Sequence, residues 1–251
     1  MGSARGYEPM RVLVTGAASA LGQEVTAALA ADENAQLRLL DDCAAQRQDG
    51  EWIDARLTDP DAVCQAVQGV DAVVHTGEPP PAPESEEALL DRATRGTHVL
   101  LQAAVEAGVK RFVYGSTLEV FRGYPDTVYV TEYYKPLPPT EMAVLARYLG
   151  EITCREFARE HPITVTALRL GKLVREEEVA GQECDLMWVD IRDAAQAFYA
   201  ALARDASASL NWVPRWAVYH IAAPITHPKF LLDRAKSMGY RPQREFRGAD
   251  A

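Results

Sequence analysis

Arg11–Gly22 reads R-V-L-V-T-G-A-A-S-A-L-G. The apolar run Val12, Leu13, Val14 has the character of a buried strand; it breaks at Thr15-Gly16 into small residues, and the helical pattern Leu21–Ala31 opens behind them. Strand, glycine turn and helix in that order build a cradle for an anion. Gly16 lets the chain leave the strand sharply, and Gly22 lets the helix pack closely enough for its N-terminal amides and positive dipole end to face a pyrophosphate. Ser19 stands where the six-residue dinucleotide fingerprint has its middle glycine, the point of nearest approach between backbone and phosphate. Gly16, Ala18, Ser19, Ala20, Leu21 and Gly22 are therefore the expected phosphate contacts.

A second apolar run, Leu37, Leu39 and Leu40, ends in Asp41-Asp42, and Asp41 lies 19 residues beyond Gly22. That is close to the ~20 residues at which such a unit places its ribose-binding acid. Asp41, the first residue off the strand, is the expected acceptor of ribose hydroxyls, with Asp42 beside it. A carboxylate here repels a 2′-phosphate, and no arginine lies in the glycine loop to offset it, so the pattern favours NAD over NADP.

Composition narrows the class. A chain of 251 residues can bury a full core and is most economically one α/β domain; its 48% apolar and 25% charged content are ordinary globular values. The net charge of −10, with scattered Arg and Lys and a dense charge run at Arg175–Glu178 that is mostly acidic, argues against a nucleic-acid partner. Cys43, Cys64, Cys154 and Cys184 are far apart, without a C-x-x-C pair or a histidine at zinc-ligand spacing, so no metal site is expected. Met1–Met10 lacks an apolar signal core and no run approaches ~18 apolar residues, so the reading is a cytoplasmic protein without a membrane segment. Gly2–Pro9 has the look of a tag remnant or frayed end.

Further along, the alternation of strands and helices continues. Trp52-Ile53 is a brief strand; Asp59 caps a helix that has Pro60 at its first position and runs through Val67; Asp71–His75 is a strand followed by the proline-rich loop Glu78–Pro83. Glu86–Gly108 reads as one long helix, and Lys110–Tyr114 as a strand delivering Gly115-Ser116-Thr117 to its carboxyl end, with Ser116 and Thr117 facing the crevice of the glycine loop. A helix at about Glu141–Arg159, a strand at Ile163–Leu170, a short strand or turn at Met187–Asp190, a helix at Arg192–Ala203, a strand at Trp216–Ile221 and a helix at Pro228–Met238 complete the pattern. Asp193 is read as a cap or dipole partner of its helix. The expected architecture is a doubly wound parallel sheet with helices on both faces and a small C-terminal substrate-side portion.

This succession resembles the extended or atypical branch of the short-chain dehydrogenase/reductase family, the NAD-dependent epimerase/dehydratase group, from roughly Met10 to Pro242. The residues that carry it are Thr15–Gly22, Asp41, L-T-D-P at Leu57–Pro60, V-D-A-V-V-H at Val70–His75, Gly96-Thr97, Leu100–Thr117, A-L-R-L at Ala167–Leu170 and W-V-D-I-R-D-A-A at Trp188–Ala195. The compact layout looks most like the uronate dehydrogenases. The resemblance implies a single NAD(P)-binding Rossmann unit over residues 10–251, with substrate-side elements in 172–190 and 206–251. It also implies hydride transfer to or from a sugar-like small molecule, with a serine or threonine, a tyrosine and a lysine as the catalytic set.

Thr117 matches the serine/threonine position; with Pro139 and Glu151 as anchors, the tyrosine position falls on Ala143 and the lysine position on Arg147. Arg56 matches an aspartate on the adenine side, Leu57 follows it, Ala93 matches an asparagine, and Gly77 and Glu78 match small residues after the fourth strand, beside Thr76. Arg147 can still hold ribose hydroxyls, but its donors do not deprotonate usefully, and Ala143 has nothing to titrate. Tyr134, beside Lys135, is the best stand-in for the phenol, while Glu78 would repel a pyrophosphate unless its loop swings aside. His75 is expected to be structural. Together these departures predict NAD(H) binding with weak or no turnover on simple sugars, or a non-catalytic dinucleotide sensor or partner subunit. The resemblance further implies a homodimer through helices 86–108 and 141–159.

Overall fold

The computed structural model describes residues 9–43, 50–78 and 85–246, so the expected tag-derived N-terminus and most of the proline-rich loop lie outside the described residues. Seven strands pair side by side: β1 (Met10–Thr15), β2 (Ala35–Asp41), β3 (Glu51–Asp54), β4 (Ala72–His75), β5 (Arg111–Thr117), β6 (Thr164–Leu170) and, last in the chain, Trp216–Ile221. Two short strands, β7 (Lys172–Val174) and β8 (Trp188–Asp190), form a separate parallel ribbon, which makes the last strand β9. The main sheet runs β3-β2-β1-β4-β5-β6-β9, every pair parallel.

Parallel strands need crossovers, and the helices that supply them cover both faces. Alternation along β1 shows how one strand feeds two cores. Val12 and Val14 pack with Leu21, Val25, Leu29 and Phe198, from α1 (Ala20–Ala30) and α6 (Ile191–Ala201). Leu13 packs the other way, with Val63 of α2 (Pro60–Ala66), Leu100 and Leu101 of α4 (Thr97–Glu106), and Phe157 of α5 (Met142–Glu160). β1 lies between β2 and β4, the point where strand order reverses, so a crevice opens at the carboxyl ends of β1 and β4. This is the doubly wound Rossmann arrangement.

Four local expectations change. The helix expected at Glu86–Gly108 comprises α3 (Glu86–Asp91), a π turn at Arg92–Gly96, and α4. β5 continues through Gly115, Ser116 and Thr117 because β6 pairs with it as far as Leu170, opposite Thr117. The last helix, α7, covers Asp233–Met238 only, since the backbone before it is committed elsewhere: Val130 N–H donates to Lys229 O at 2.7 Å and Leu231 N–H to Val130 O at 3.2 Å. Asp190, not Asp193, caps α6 by accepting from Arg192 N–H at 2.9 Å; Asp193 sits in the first turn and accepts from the Gln243 and Arg244 N–H groups at 3.0 Å, tying down the C-terminal segment. Among the described residues no helix is long and apolar enough to cross a membrane.

Candidate active site

The cradle after β1 is built as tightly as its residues allow. Gly16 has φ +73°, which a side chain would strain, and a Cβ on Gly22 would collide with the Gly16 carbonyl, so this approach of helix to turn requires glycine at both places. Ser19 is the N-cap of α1 at φ −65°, where any residue is comfortable, and therefore needs no glycine. Its hydroxyl donates to Gly16 O at 2.8 Å and accepts from Gly22 N–H at 2.9 Å. The first N–H groups of α1, at Ala20 and Leu21, have no carbonyl one turn earlier in the helix, which leaves them for an anion at its N-terminus.

Beyond the loop stands a charged group that spacing alone did not reveal. Asp41 is buried; its Oδ2 accepts from Ala18 N–H and its Oδ1 from Asp42 N–H, both at 2.9 Å, so it braces the glycine loop. Asp42 is more open. Arg92, carried by the π turn, reaches both acids, with Nη1 at 2.9 Å from Asp42 Oδ1 and Nη2 at 3.4 Å from Asp41 Oδ1, and Arg56 approaches Asp42 at 3.7 Å. Burial pushes the Asp41 carboxyl above its ordinary range; burial raises Asp42 as well, but the adjacent Arg92 guanidinium outweighs it and holds that group low. The oxygens of Asp41 and Asp42 and the Cys43 sulfur come within 4.8 Å of one another, and the cation that answers the two carboxylates is Arg92.

The second half of the crevice lies at the ends of β4 and β5. Thr117, Ala143, Arg147, Glu78, Glu119 and Lys172 line a cavity of about 280 Å³. Arg147 is clamped from three directions: Nε donates to Gly115 O at 3.0 Å, Nη2 to Thr76 O at 3.5 Å, and Nη2 pairs with Glu78 Oε1 at 2.6 Å. Gly77, at φ +67°, turns the chain so that Glu78 meets this guanidinium. Glu78, Ala143 and Arg147 also line a small neighbouring cavity with Arg92, His75 and Tyr114. The repulsion expected of Glu78 is thus countered by a cation already in contact with it.

Other expected residues have different surroundings. Strand alternation turns Ser116 away from the Thr117 cavity: its hydroxyl donates to buried Glu151 at 2.5 Å, and Glu151 is paired with Arg169 at 2.6 Å. Tyr134 packs edge-on against Tyr124 at 5.4 Å and does not line the cavity of Thr117. Leu57 is buried against the helical layer, and Thr76 donates from Oγ1 to Thr15 O at 3.2 Å. His75 bridges Thr15 (2.8 Å) and Thr97 (3.2 Å), and burial lowers its pKa to about 3, so it is a neutral structural group. Tyr114, which the sequence reading passed over, reaches the crevice, but its hydroxyl donates to Arg147 O at 2.9 Å and burial raises its pKa well above the ordinary value. Its phenol is unsuited to shuttle a proton at neutral pH.

A wider cleft continues from Lys172 past Glu119, Arg122 and Asp126 to Glu183–Met187 and Lys229. Its cations are engaged internally: Lys172 with Asp185 (2.6 Å), Arg122 with Glu141 (2.5 Å) and Lys229 with Asp126 (2.8 Å).

The geometry agrees with what comparison with known proteins finds. The chain is 27% identical over 255 residues to NAD-dependent glucose-6-phosphate dehydrogenase of Haloferax volcanii, covering 92% of each chain. It is 27% identical over 253 residues to L-arabinose 1-dehydrogenase (NAD(P)(+)) of the same organism, covering 93% of this chain and 96% of that one. A tyrosine-to-alanine mutant of uronate dehydrogenase from Agrobacterium tumefaciens, solved in complex with NAD, shares the fold at a TM-score of 0.76 and 22% identity, over 96% of this chain and 86% of that one. With a glycine cradle, a threonine at the end of β5 and a family match across residues 12–187, this chain belongs to the NAD-dependent epimerase/dehydratase family.

Proposed function

We propose that the protein binds NAD in the crevice between β1 and β4 and oxidises a hydroxyl of a neutral, sugar-like small molecule without a tyrosine relay. The observation that carries this is the convergence of Thr117, Arg147 and Glu78 on one cavity, beside a turn and helix whose close approach requires glycine at positions 16 and 22. The residues present fit the dinucleotide. The α1 amides and Gly16 would hold the pyrophosphate, Asp41 and Asp42 the adenosine ribose, Arg56 and Leu57 the adenine side, and Thr76, Gly77 and Arg147 the nicotinamide side. When bound, it supplies the hydride acceptor. Thr117 Oγ1 would hydrogen-bond the reacting substrate oxygen and so orient it.

The curated relatives act on sugars with NAD or NAD(P), and a solved neighbour retains NAD with an alanine in place of a tyrosine. Because the cleft cations are already paired with carboxylates, a sugar without a charged group suits the site better than a phosphorylated or uronic one. Initial-rate assays with NAD over L-arabinose, D-glucose, D-glucuronate and glucose 6-phosphate test the reading. NADH formation should be fastest with a neutral sugar, and no rate on any of them favours a second reading, that of a dinucleotide-binding protein without turnover, to which the alanine at position 143 points.

We further propose a cytoplasmic location, in keeping with four free cysteines, and a homodimer through the helical segments 86–108 and 141–159, the second of which carries Leu149, 37% exposed. Light scattering should give twice the chain mass; a monomer at micromolar concentration contradicts the dimer.

A further inference from the structure

We propose that Glu78 is the proton acceptor of this site, and that the Glu78–Arg147 ion pair replaces the tyrosine and lysine that the family resemblance places at Ala143 and Arg147. The inference rests on the NAD-dependent oxidation proposed above and adds the group that makes it work.

The geometry carries it. Ala143 leaves space where a phenol would project, and Glu78 and Arg147 border that space from both cavities that Ala143 lines. Their oxygen and nitrogen are 2.6 Å apart, with side chains 21% and 13% exposed, so the pair is shielded but open to a substrate. Only Oε1 of Glu78 is taken by Arg147; among the described residues Oε2 has no partner, leaving one acceptor for a substrate hydroxyl. The pair also preserves the charge pattern, one anion beside one fixed cation, with the anion supplied by the turn after β4 instead of by α5. Arg147 itself is held by the carbonyls of Gly115 and Thr76, which fixes the position of the carboxylate it binds.

Neighbouring groups are poorer candidates. Lys172 is hydrogen-bonded to Asp185, which raises its pKa and keeps it protonated, so it has no lone pair to offer. Glu119 faces Arg122 at 3.6 Å, and its own N–H donates to the Thr117 hydroxyl at 3.1 Å.

In the step this implies, the substrate O–H bond breaks and its proton passes to Glu78 Oε2. The carbinol C–H bond breaks with its electron pair, which leaves as hydride to the nicotinamide ring, and a C=O bond forms. The substrate is oxidised by two electrons, which bound NAD would accept as the hydride; Glu78 releases its proton to solvent through the open cleft.

Glu78→Gln and Glu78→Ala, compared with the unaltered protein, test the proposal by two independent readouts. Calorimetric titration with NAD should give dissociation constants within about threefold of the original for both variants. NADH formation on the best sugar of the panel should fall by roughly 10²-fold or more in both, in line with loss of a general base, and added formate should restore part of it in Glu78→Ala only. Full turnover in Glu78→Gln overturns the proposal. So does a tenfold tightening of NAD affinity in the variants, which would make Glu78 an electrostatic gate. NAD binding without turnover in the unaltered protein overturns the role of Glu78 while leaving cofactor binding intact, whereas absence of NAD binding removes the reading beneath it. If Glu78→Ala does not fold, Glu78→Gln, nearly the same in shape, carries the test.

Discussion

Asp42 is the more open member of the acidic pair that the sequence expects at the adenosine ribose, and we propose that it sets the balance between the two nicotinamide coenzymes. There it would face a ribose 2′-phosphate, and it engages two arginines, Arg92 and Arg56, of a kind that pairs with phosphate. Replacing it by alanine removes a repelling charge and takes one carboxylate partner from each guanidinium. Asp42→Ala should shift the ratio of NADP to NAD affinity toward NADP by roughly tenfold, about 1.4 kcal/mol, measured by titration with each coenzyme. An unchanged ratio would mean that neither arginine can turn toward the coenzyme. Gly22→Ala is the harsher test of the cradle. Its Cβ would fall on the Gly16 carbonyl, so the variant should lose about 1–3 kcal/mol of stability by urea unfolding and, where it folds, bind NAD far more weakly. At this scale Gly16 and Gly22 were legible from local spacing along the chain, while Thr117 and Ala143 were legible only through the family resemblance. Arg92 and the partner of Glu78 were not, since the contacts from Asp42 to Arg92 and from Glu78 to Arg147 join residues far apart in sequence, and no periodicity encodes them.

Between elements, the joint that fixes the substrate end of the sheet is the buried triad of Ser116 on β5, Glu151 on α5 and Arg169 on β6. Glu151 receives Arg169 Nε at 3.0 Å, Arg169 Nη2 at 2.6 Å and the Ser116 hydroxyl at 2.5 Å, with both charged side chains nearly inaccessible. Removing one partner strands the other charge away from water. Glu151→Ala should therefore cost about 3–5 kcal/mol in urea unfolding, while the double change Glu151→Leu with Arg169→Met should cost much less. Equal losses in both would argue that packing, not charge, holds the joint. Strand and helix identities along this part of the chain could be read from apolar periodicity, and β6 and α5 lie within a residue or two of where that pattern put them. The π turn at Arg92–Gly96 could not be read, because one extra residue in a turn leaves the apolar stripe nearly unchanged; β7 was missed because three residues, one exposed and two half-buried, give too short a pattern.

For the molecule as a whole, two histidines contribute to how folding responds to acid. His75 and His220 are both buried, and burial holds each near a pKa of about 3, against an ordinary value of 6.5. Between those values the unfolded chain binds protons that the folded chain does not, so stability rises with pH across this window and falls as acid is added. Neither ring nitrogen of His220 has a partner among the described residues, and the ring sits against Phe121 at 5.2 Å and Phe230 at 5.6 Å. His220→Phe should thus flatten the pH dependence of the urea midpoint by close to one proton and stabilise the fold at acidic pH. An unaltered slope would show that His220 does not titrate on unfolding. The sheet order that places the crevice at β1 and β4 was legible as a class, through alternating strands and helices, and it is this topology that puts the cradle after β1 and the Thr117 end of β5 at the same carboxyl edge of one parallel sheet. Calorimetric titration of the purified protein with NAD and with NADP addresses that shared edge most directly. The expected result is saturable binding of one NAD per chain, tighter than NADP; heat from neither coenzyme would contradict the account.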